Sequence, residues 1–161
     1  MEADSIAFGW LQEHMHANQL YENATLIRGM VGSVSSMQPA VQWEPGSSAE
    51  PVQVYTVPEI LNQYKVVDIV HIDIQGGETA LLDKDVMAFL NERVRFLHIG
   101  THGNHILADL KAAYVGGSGW ELVHKDEGEF LQGTTLISKT LGPIRLAADG
   151  ELALRNTRVV S

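Results

Sequence analysis

The chain has 161 residues, a net charge of −9, no cysteine and a hydrophobic fraction of 45%. These values predict one folded domain over residues 1–161. The absence of a Lys/Arg cluster argues against nucleic-acid and anionic-membrane partners. Without cysteine, disulfides, thiolate catalysis and zinc–thiolate sites are excluded. Glu2 and Asp4, with no basic or apolar run beside them, predict no signal peptide, so we expect a cytoplasmic protein.

The first 64 residues predict two helices and two strands. The apolar spacing and turn residues place, in chain order, a helix over 5–19, a strand over 24–34, a Pro/Gly/Ser-rich loop over 38–51, a strand over 52–56 and a helix ending at Tyr64. Asp4 or Ser5 is suited to cap the first helix. Thr56 and Glu59 have the spacing of a capping box at the second, with Pro58 in its first turn.

The remaining residues alternate strands with helices. The predicted elements are a near-continuously apolar strand over 66–74, a helical segment to Asn91, a strand over 94–100, a helix over 105–114, a strand over 120–126 and a hairpin turning at Asp149-Gly150. This alternation predicts an α/β fold. We expect a mostly parallel sheet, helices on both of its faces and an antiparallel hairpin at the carboxyl terminus.

Polar residues and glycines follow the strand over 66–74, in the run HIDIQGGE. Ligands of open parallel sheets bind beyond the carboxyl ends of the strands. The alternation of a strand puts Asp73 and Gln75 on one face, Gly76 permits close approach of a ligand, and Glu78 falls in the first turn of a helix. Structural roles are the alternatives: Asp73 as a turn former and Glu78 as an ordinary helix-start carboxylate.

Three histidines occur in and beyond the strand over 94–100: His98, His102 and His105. They could join Asp73 in a metal cluster or supply a general base. Their spacing matches no established metal pattern, so we predict no metal. We expect His98 to point into the layer that covers the sheet, and His98 and His105 to be neutral packing or hydrogen-bonding residues. His102, in the loop, is the best histidine candidate for a base, with Asp73 and Glu78 as alternatives.

The segment VDIVHIDIQGGETALL resembles the hydrophobic-IDVEGAE motif of FkbM-type S-adenosylmethionine-dependent methyltransferases. The segments VRFLHIGTHG…GWELVHKD and GPIRLAADGELALRN are similar to later parts of a bacterial branch of that family. The resemblance implies a Rossmann-like methyltransferase fold and methyl transfer to a hydroxyl of a small molecule or glycan. It implies that Glu2 holds the ribose hydroxyls of the cofactor, and that Asp73, with Gln75 and Gly76, lines the methyl-donor pocket. Gln75 stands where the family usually has Glu.

The resemblance does not include the family's first strand and Gly-rich loop, which would precede Glu2. The family's strand order places the first strand beside the fourth, which here is the strand over 66–74. We therefore expect a partial sheet with that strand at an edge, where its backbone groups need a partner. The strand over 24–34 could close against it, or a second copy of the chain could pair with it. We expect a homo-oligomer, with a dimer as its form.

Two functions follow from this resemblance. The first is an O-methyltransferase, with Asp73, Glu78 and His102 as its catalytic residues. The alternative is a non-catalytic remnant of such a domain that acts as a binding or assembly module, which the missing loop favours. A metal-dependent hydrolase is a third and weaker alternative, since it would need three ligands at an open site.

Overall fold

The computed structural model describes residues 1–39, 50–74, 77–115, 119–126, 135–138, 142–145 and 150–159. The protein is α/β, with two mixed sheets and helices. The chain divides into two compact units, Met1–Ile60 and Leu61–Ser161. In these described ranges, no helix has both the length and the apolar character that a membrane crossing requires.

The first unit begins with helix α1, Ser5–Ala17, as the sequence predicts. Asp4 caps it: its Oδ1 atom accepts hydrogen bonds from the backbone N–H groups of Ile6 at 2.8 Å and Ala7 at 3.0 Å. A 3-10 turn follows at Tyr21–Asn23. The cap satisfies donors that the first helical turn leaves without an intrahelical acceptor.

The sheet of the first unit has three short strands, β1 (Met30–Val31), β2 (Ser36–Gln38) and β3 (Val52–Tyr55). The central strand β3 pairs in parallel with β1 and antiparallel with β2. The strand predicted over 24–34 is thus wrong in extent: Met30 and Val31 pair with β3, and Arg28 forms an isolated bridge with Glu2. A Cβ atom at Gly29 would lie 2.7 Å from Tyr55 Cε2. The segment therefore lies so close to β3 at this position that a side chain would not fit.

Helix α2, Val57–Leu61, is shorter than the predicted helix to Tyr64, but its capping box is confirmed. The Thr56 backbone N–H donates to Glu59 Oε2 at 2.7 Å, and the Glu59 N–H donates to Thr56 Oγ1 at 3.3 Å. These are the two reciprocal bonds that define the motif.

The main sheet of the second unit has the strand order β4-β5-β9-β6. Its strands are β4 (Val67–Ile72), β5 (Val94–Thr101), β6 (Trp120–Asp126) and β9 (Gly150–Asn156). β4 and β5 run parallel, whereas β9 lies antiparallel between β5 and β6. The prediction of a mostly parallel sheet is therefore wrong, because insertion of β9 makes two of the three ladders antiparallel.

The carboxyl-terminal strands are antiparallel, as expected, but their pairing differs from the predicted hairpin. Strand β8 (Gly142–Arg145) pairs with β7 (Thr135–Ser138), and β9 pairs with β5 and β6. The segment 146–149, which includes Asp149 of the predicted turn, lies outside the described residues. A strong local turn signal does not decide which strand β9 joins, because that choice depends on distant residues.

The helices of the second unit are a 3-10 helix at Gly77–Leu82, α3 (Lys84–Arg93) and α4 (Asn104–Val115). α3 and α4 contact the sheet on the face that carries its most buried side chains, which are Leu97, Ile99, Leu152 and Leu154, and the 3-10 helix contacts α3 and α4. On the other face Ile69 is 65% and Phe96 43% exposed. Helices on both faces are thus not found among the described residues of this unit, and the prediction is wrong there.

Candidate functional site

Asp73, Glu78 and His102 lie together beyond the carboxyl ends of β4 and β5. Asp73 directly follows β4, and His102 directly follows β5. The two strands are parallel neighbours, with His71 opposite His98 and Ile72 opposite Ile99. Their carboxyl ends therefore meet at one edge of the sheet, which brings together residues almost thirty positions apart in the chain.

Glu78 is a fully buried carboxylate in the 3-10 helix that follows β4. Its Oε1 atom accepts a hydrogen bond from the Ile74 backbone N–H at 3.1 Å and lies 2.8 Å from His102 Nδ1. The sequence predicted a carboxylate in a first helical turn, and the structure adds that it faces the interior. Buried charged groups require such partners, so these contacts hold the carboxylate in one position.

His102 has a carboxylate beside each of its ring nitrogens. Its Nε2 atom lies 3.4 Å from Asp73 Oδ1, on the side away from Glu78. The His102 side chain is 17% exposed and that of Asp73 is 55% exposed. The cluster therefore runs from a buried carboxylate, through an imidazole, to a carboxylate in contact with solvent.

This arrangement is suited to proton transfer. With Glu78 ionised, its carboxylate has only acceptor sites, and the 2.8 Å contact then places the proton of a neutral imidazole on Nδ1. The Nε2 atom is then an acceptor and can take a proton from a nearby hydroxyl. The imidazolium that results would have a carboxylate at each N–H, and both carboxylates favour its positive charge.

Gly100 is a further residue of the cluster, and the sequence did not single it out. A Cβ atom at this position of β5 would lie 3.3 Å from Asp73 Cγ, closer than ordinary van der Waals contact. The absence of a side chain lets the Asp73 carboxylate lie against β5. The available signal was the first glycine of LHIGTHG, on the strand that we expected to neighbour the one ending at Asp73.

The same three residues form a donor set for a cation. Asp73, Glu78 and His102 each offer one ligand atom, and these atoms lie within 4.8 Å of one another. His102 already lies between the two carboxylates and contacts both. The absence of a metal at this site stays our prediction.

Glu2, Gln75 and Gly76 are the other predicted site residues. Glu2 lies in the first unit, where its Oε1 atom accepts the backbone N–H groups of Ala3 at 2.7 Å and Asp4 at 2.8 Å. Gln75 and Gly76 lie outside the described residues. The Glu2 contacts occupy one carboxylate oxygen with the chain's own backbone.

His98 and His105 have positions of their own. His98 is wrongly predicted to point into the covering layer: its side chain is 39% exposed and stacks on His71 with ring centroids 4.8 Å apart. The alternation of β5 gives the covered face to Leu97 and Ile99 instead. His105 is exposed near the start of α4.

Comparison of the chain with protein-family models, curated proteins and solved structures gives no match. The resemblance of the motifs and the geometry of the cluster are therefore the two features that indicate a function.

Proposed function

We propose that the chain is an FkbM-type methyltransferase that transfers a methyl group from S-adenosylmethionine to a hydroxyl of a small molecule or glycan in the cytoplasm. The observation that carries the proposal is the cluster of Glu78, His102 and Asp73 at the carboxyl ends of two parallel strands. This is the edge at which α/β sheets bind their ligands. The parallel β4–β5 pair and helices α3 and α4 would be the retained part of a Rossmann-like sheet.

The charge of the cluster suits the cofactor. S-adenosylmethionine carries a sulfonium and an ammonium group, and the cluster has two carboxylates, one of them 55% exposed on its side chain. We assign Asp73 as the described residue that would hold the cofactor. The roles of Glu2, Gln75 and Gly76 remain predictions from the resemblance. When bound, S-adenosylmethionine supplies a methyl group on a positively charged sulfur.

The protein's own residues would accept the proton that the acceptor hydroxyl loses. His102 Nε2 accepts that proton, while the Glu78 carboxylate keeps the other ring nitrogen protonated and the ring oriented. Asp73 then faces the new N–H at the 3.4 Å separation and stabilises the imidazolium. Gly100 leaves the space in which the Asp73 carboxylate reaches this position.

Cofactor binding is the direct test. Thermal unfolding of the full chain would be followed with S-adenosylmethionine and with S-adenosylhomocysteine. A ligand at a hundred times its dissociation constant stabilises a fold by about 2.7 kcal/mol. We expect this stabilisation for the wild type and for Asp109→Asn, an exposed aspartate of α4, and its loss in Asp73→Asn. Absence of stabilisation by either compound in the wild type would reject cofactor binding.

Methyl transfer separates the base from the binding residue. With labelled S-adenosylmethionine and a panel of sugar and small-molecule hydroxyls, His102→Ala should retain cofactor stabilisation and lose about 10²–10⁴-fold in transfer rate, the usual contribution of a general base. His105→Ala is the matched control, because that histidine is exposed and outside the cluster. Equal rates in the two variants would remove the catalytic role of His102.

The alternative is a non-catalytic binding or assembly module. It is favoured by β4, which hydrogen-bonds to β5 alone among the described strands, and by the exposed apolar side chains of Ile69 and Phe96. Exposed apolar groups and open strand edges are features of interaction surfaces. A wild-type chain that self-associates and binds neither cofactor compound would support this function.

A further inference from the structure

A pair of histidines lies on the face of the main sheet opposite the one that α3 and α4 contact. His71 of β4 and His98 of β5 are direct partners in the parallel ladder. Their rings stack with centroids 4.8 Å apart and an angle of 23° between the ring planes. The spacing of the histidines along the chain does not reveal this pair, because the 3-10 helix and α3 separate the two residues in sequence. The sheet therefore holds two imidazoles side by side on a hydrogen-bonded backbone.

Glu151 of β9 brings a carboxylate to the same place. It is the ladder partner of Gly100, which is two residues beyond His98 on β5, so its side chain is on the same face as His98. The Oε2 atom of Glu151 lies 3.8 Å from His98 Nε2. This separation is longer than a good N–H···O hydrogen bond. Two imidazoles and one carboxylate thus come together from three adjacent strands.

The chemistry of these groups is that of a transition-metal site. Imidazole nitrogens and a carboxylate oxygen are ligands that suit Zn²⁺ and similar ions, whereas Mg²⁺ and Ca²⁺ prefer sets of oxygen atoms. The chain has a net charge of −9, which favours the approach of cations. His71 is exposed, and the side chains of His98 and Glu151 are 39% and 55% exposed. An ion can therefore reach all three groups from solvent.

The ladder places the ligand groups close to the distances that an ion requires. In a tetrahedral zinc site with bonds of about 2.0–2.1 Å, two ligand atoms are about 3.3 Å apart. The 3.8 Å separation of His98 Nε2 and Glu151 Oε2 is near this value. The two stacked rings are nearly parallel, so their lone pairs point side by side and do not converge. Turning the exposed His71 ring about its side-chain bonds would direct a nitrogen at the same ion without moving the backbone.

We propose that His71, His98 and Glu151 bind a divalent transition-metal ion of the zinc class, with water at the remaining coordination position. The ion would link β4, β5 and β9. Because β4 pairs with β5 alone among the described strands, the ion would give this edge strand a second attachment to the sheet. The inference is independent of methyl transfer, since none of the three ligands belongs to the cluster at the strand ends.

Calorimetric titration of the full chain with zinc chloride tests the site. We expect saturable zinc binding by the wild type and at least about tenfold weaker binding by His71→Ala and by His98→Ala. Glu151→Gln keeps the shape of the side chain and removes its charge, so it should also weaken binding. A large excess of magnesium chloride should not compete with zinc, because Mg²⁺ prefers oxygen ligands.

Two control variants locate the ion. His124→Ala removes an exposed histidine of β6, and His102→Ala removes the histidine of the cluster at the strand ends. Both should bind zinc as the wild type does, and circular dichroism would verify the fold of every variant. Undetectable zinc binding by the wild type would overturn the proposal. So would unchanged binding by His71→Ala/His98→Ala, or an equal loss of binding in either control.

Discussion

His102 lies between two carboxylates at unequal distances, and this inequality predicts its tautomer. Nδ1 is 2.8 Å from Glu78 Oε1, a normal hydrogen-bond length, whereas Nε2 is 3.4 Å from Asp73 Oδ1, which is longer than a good N–H···O bond. The neutral ring has one N–H, which should therefore be at Nδ1. Nitrogen-15 chemical shifts of the imidazole would reveal which nitrogen carries the proton.

We expect His102 in the Nδ1–H form when neutral, and loss of that preference in Glu78→Ala. His14 is a suitable reference, because it is an exposed histidine of α1. If the proton of the neutral His102 were found at Nε2, the proposed base would point its free lone pair at Glu78 and could not receive a proton from the solvent side. The catalytic assignment would then fail, although the fold would be unaffected.

At this same scale, the sequence predicted Asp73, Glu78 and His102 but not the contacts between them. Each residue type suggested acid–base chemistry, and a parallel β4–β5 pair was enough to bring the three together. The burial of Glu78 and the close approach at Gly100 depend on how the 3-10 helix and β5 pack. This packing involves residues far apart in the sequence, so local sequence patterns do not predict it.

Among the helices and strands, the features that depend on neighbouring residues were predicted most reliably. The Asp4 cap of α1 and the Thr56–Glu59 box of α2 were predicted because each is formed by residues within three positions of one another. The strand over 24–34 and the terminal hairpin failed, since β1 and β9 are fixed by distant partners in β3, β5 and β6. Strand propensity is a property of individual residues, so it cannot identify which strands pair with each other.

The capping box gives α2 a measurable pH dependence. The Thr56 backbone N–H is the largest cause and lowers the pKa of Glu59 below its ordinary value of 4.5. Desolvation opposes this effect, and smaller contributions from the Thr56 and Ser35 hydroxyl groups add to the lowering of the pKa. A depressed carboxylate pKa stabilises the fold above the ordinary value, and this contribution is lost as pH falls through the folded pKa. Carbon-13 titration should show a Glu59 midpoint below 4.5.

The control for this titration is Glu13, an exposed glutamate of α1. Thr56→Ala retains the backbone N–H and removes the hydroxyl, so it should return only part of the Glu59 shift. A Glu59 midpoint at or above that of Glu13 would contradict the capping geometry.

For the whole molecule, β4 is the strand that we expect to pair with a partner, because one of its two edges has no neighbour among the described strands. Among the described strands, β4 bonds to β5, and β1 pairs with β3 in another sheet, so closure of the strand over 24–34 against β4 does not occur there. Pairing with a second copy, the other expected solution, stays a prediction. Ile69 of β4 and Phe96 of β5 are opposite each other and exposed, which adds apolar area beside the open edge.

We therefore expect the chain to form a homodimer through β4, with twice the mass of one chain in light scattering after size-exclusion chromatography at micromolar concentration. Ile69→Lys should give a monomer, because a charge at this 65% exposed position opposes association and leaves the core intact. Val123→Lys is the matched control: Val123 is 59% exposed on β6, the opposite edge of the same sheet. A monomeric wild type would exclude the dimer, and equal dissociation of both variants would move the interface away from β4.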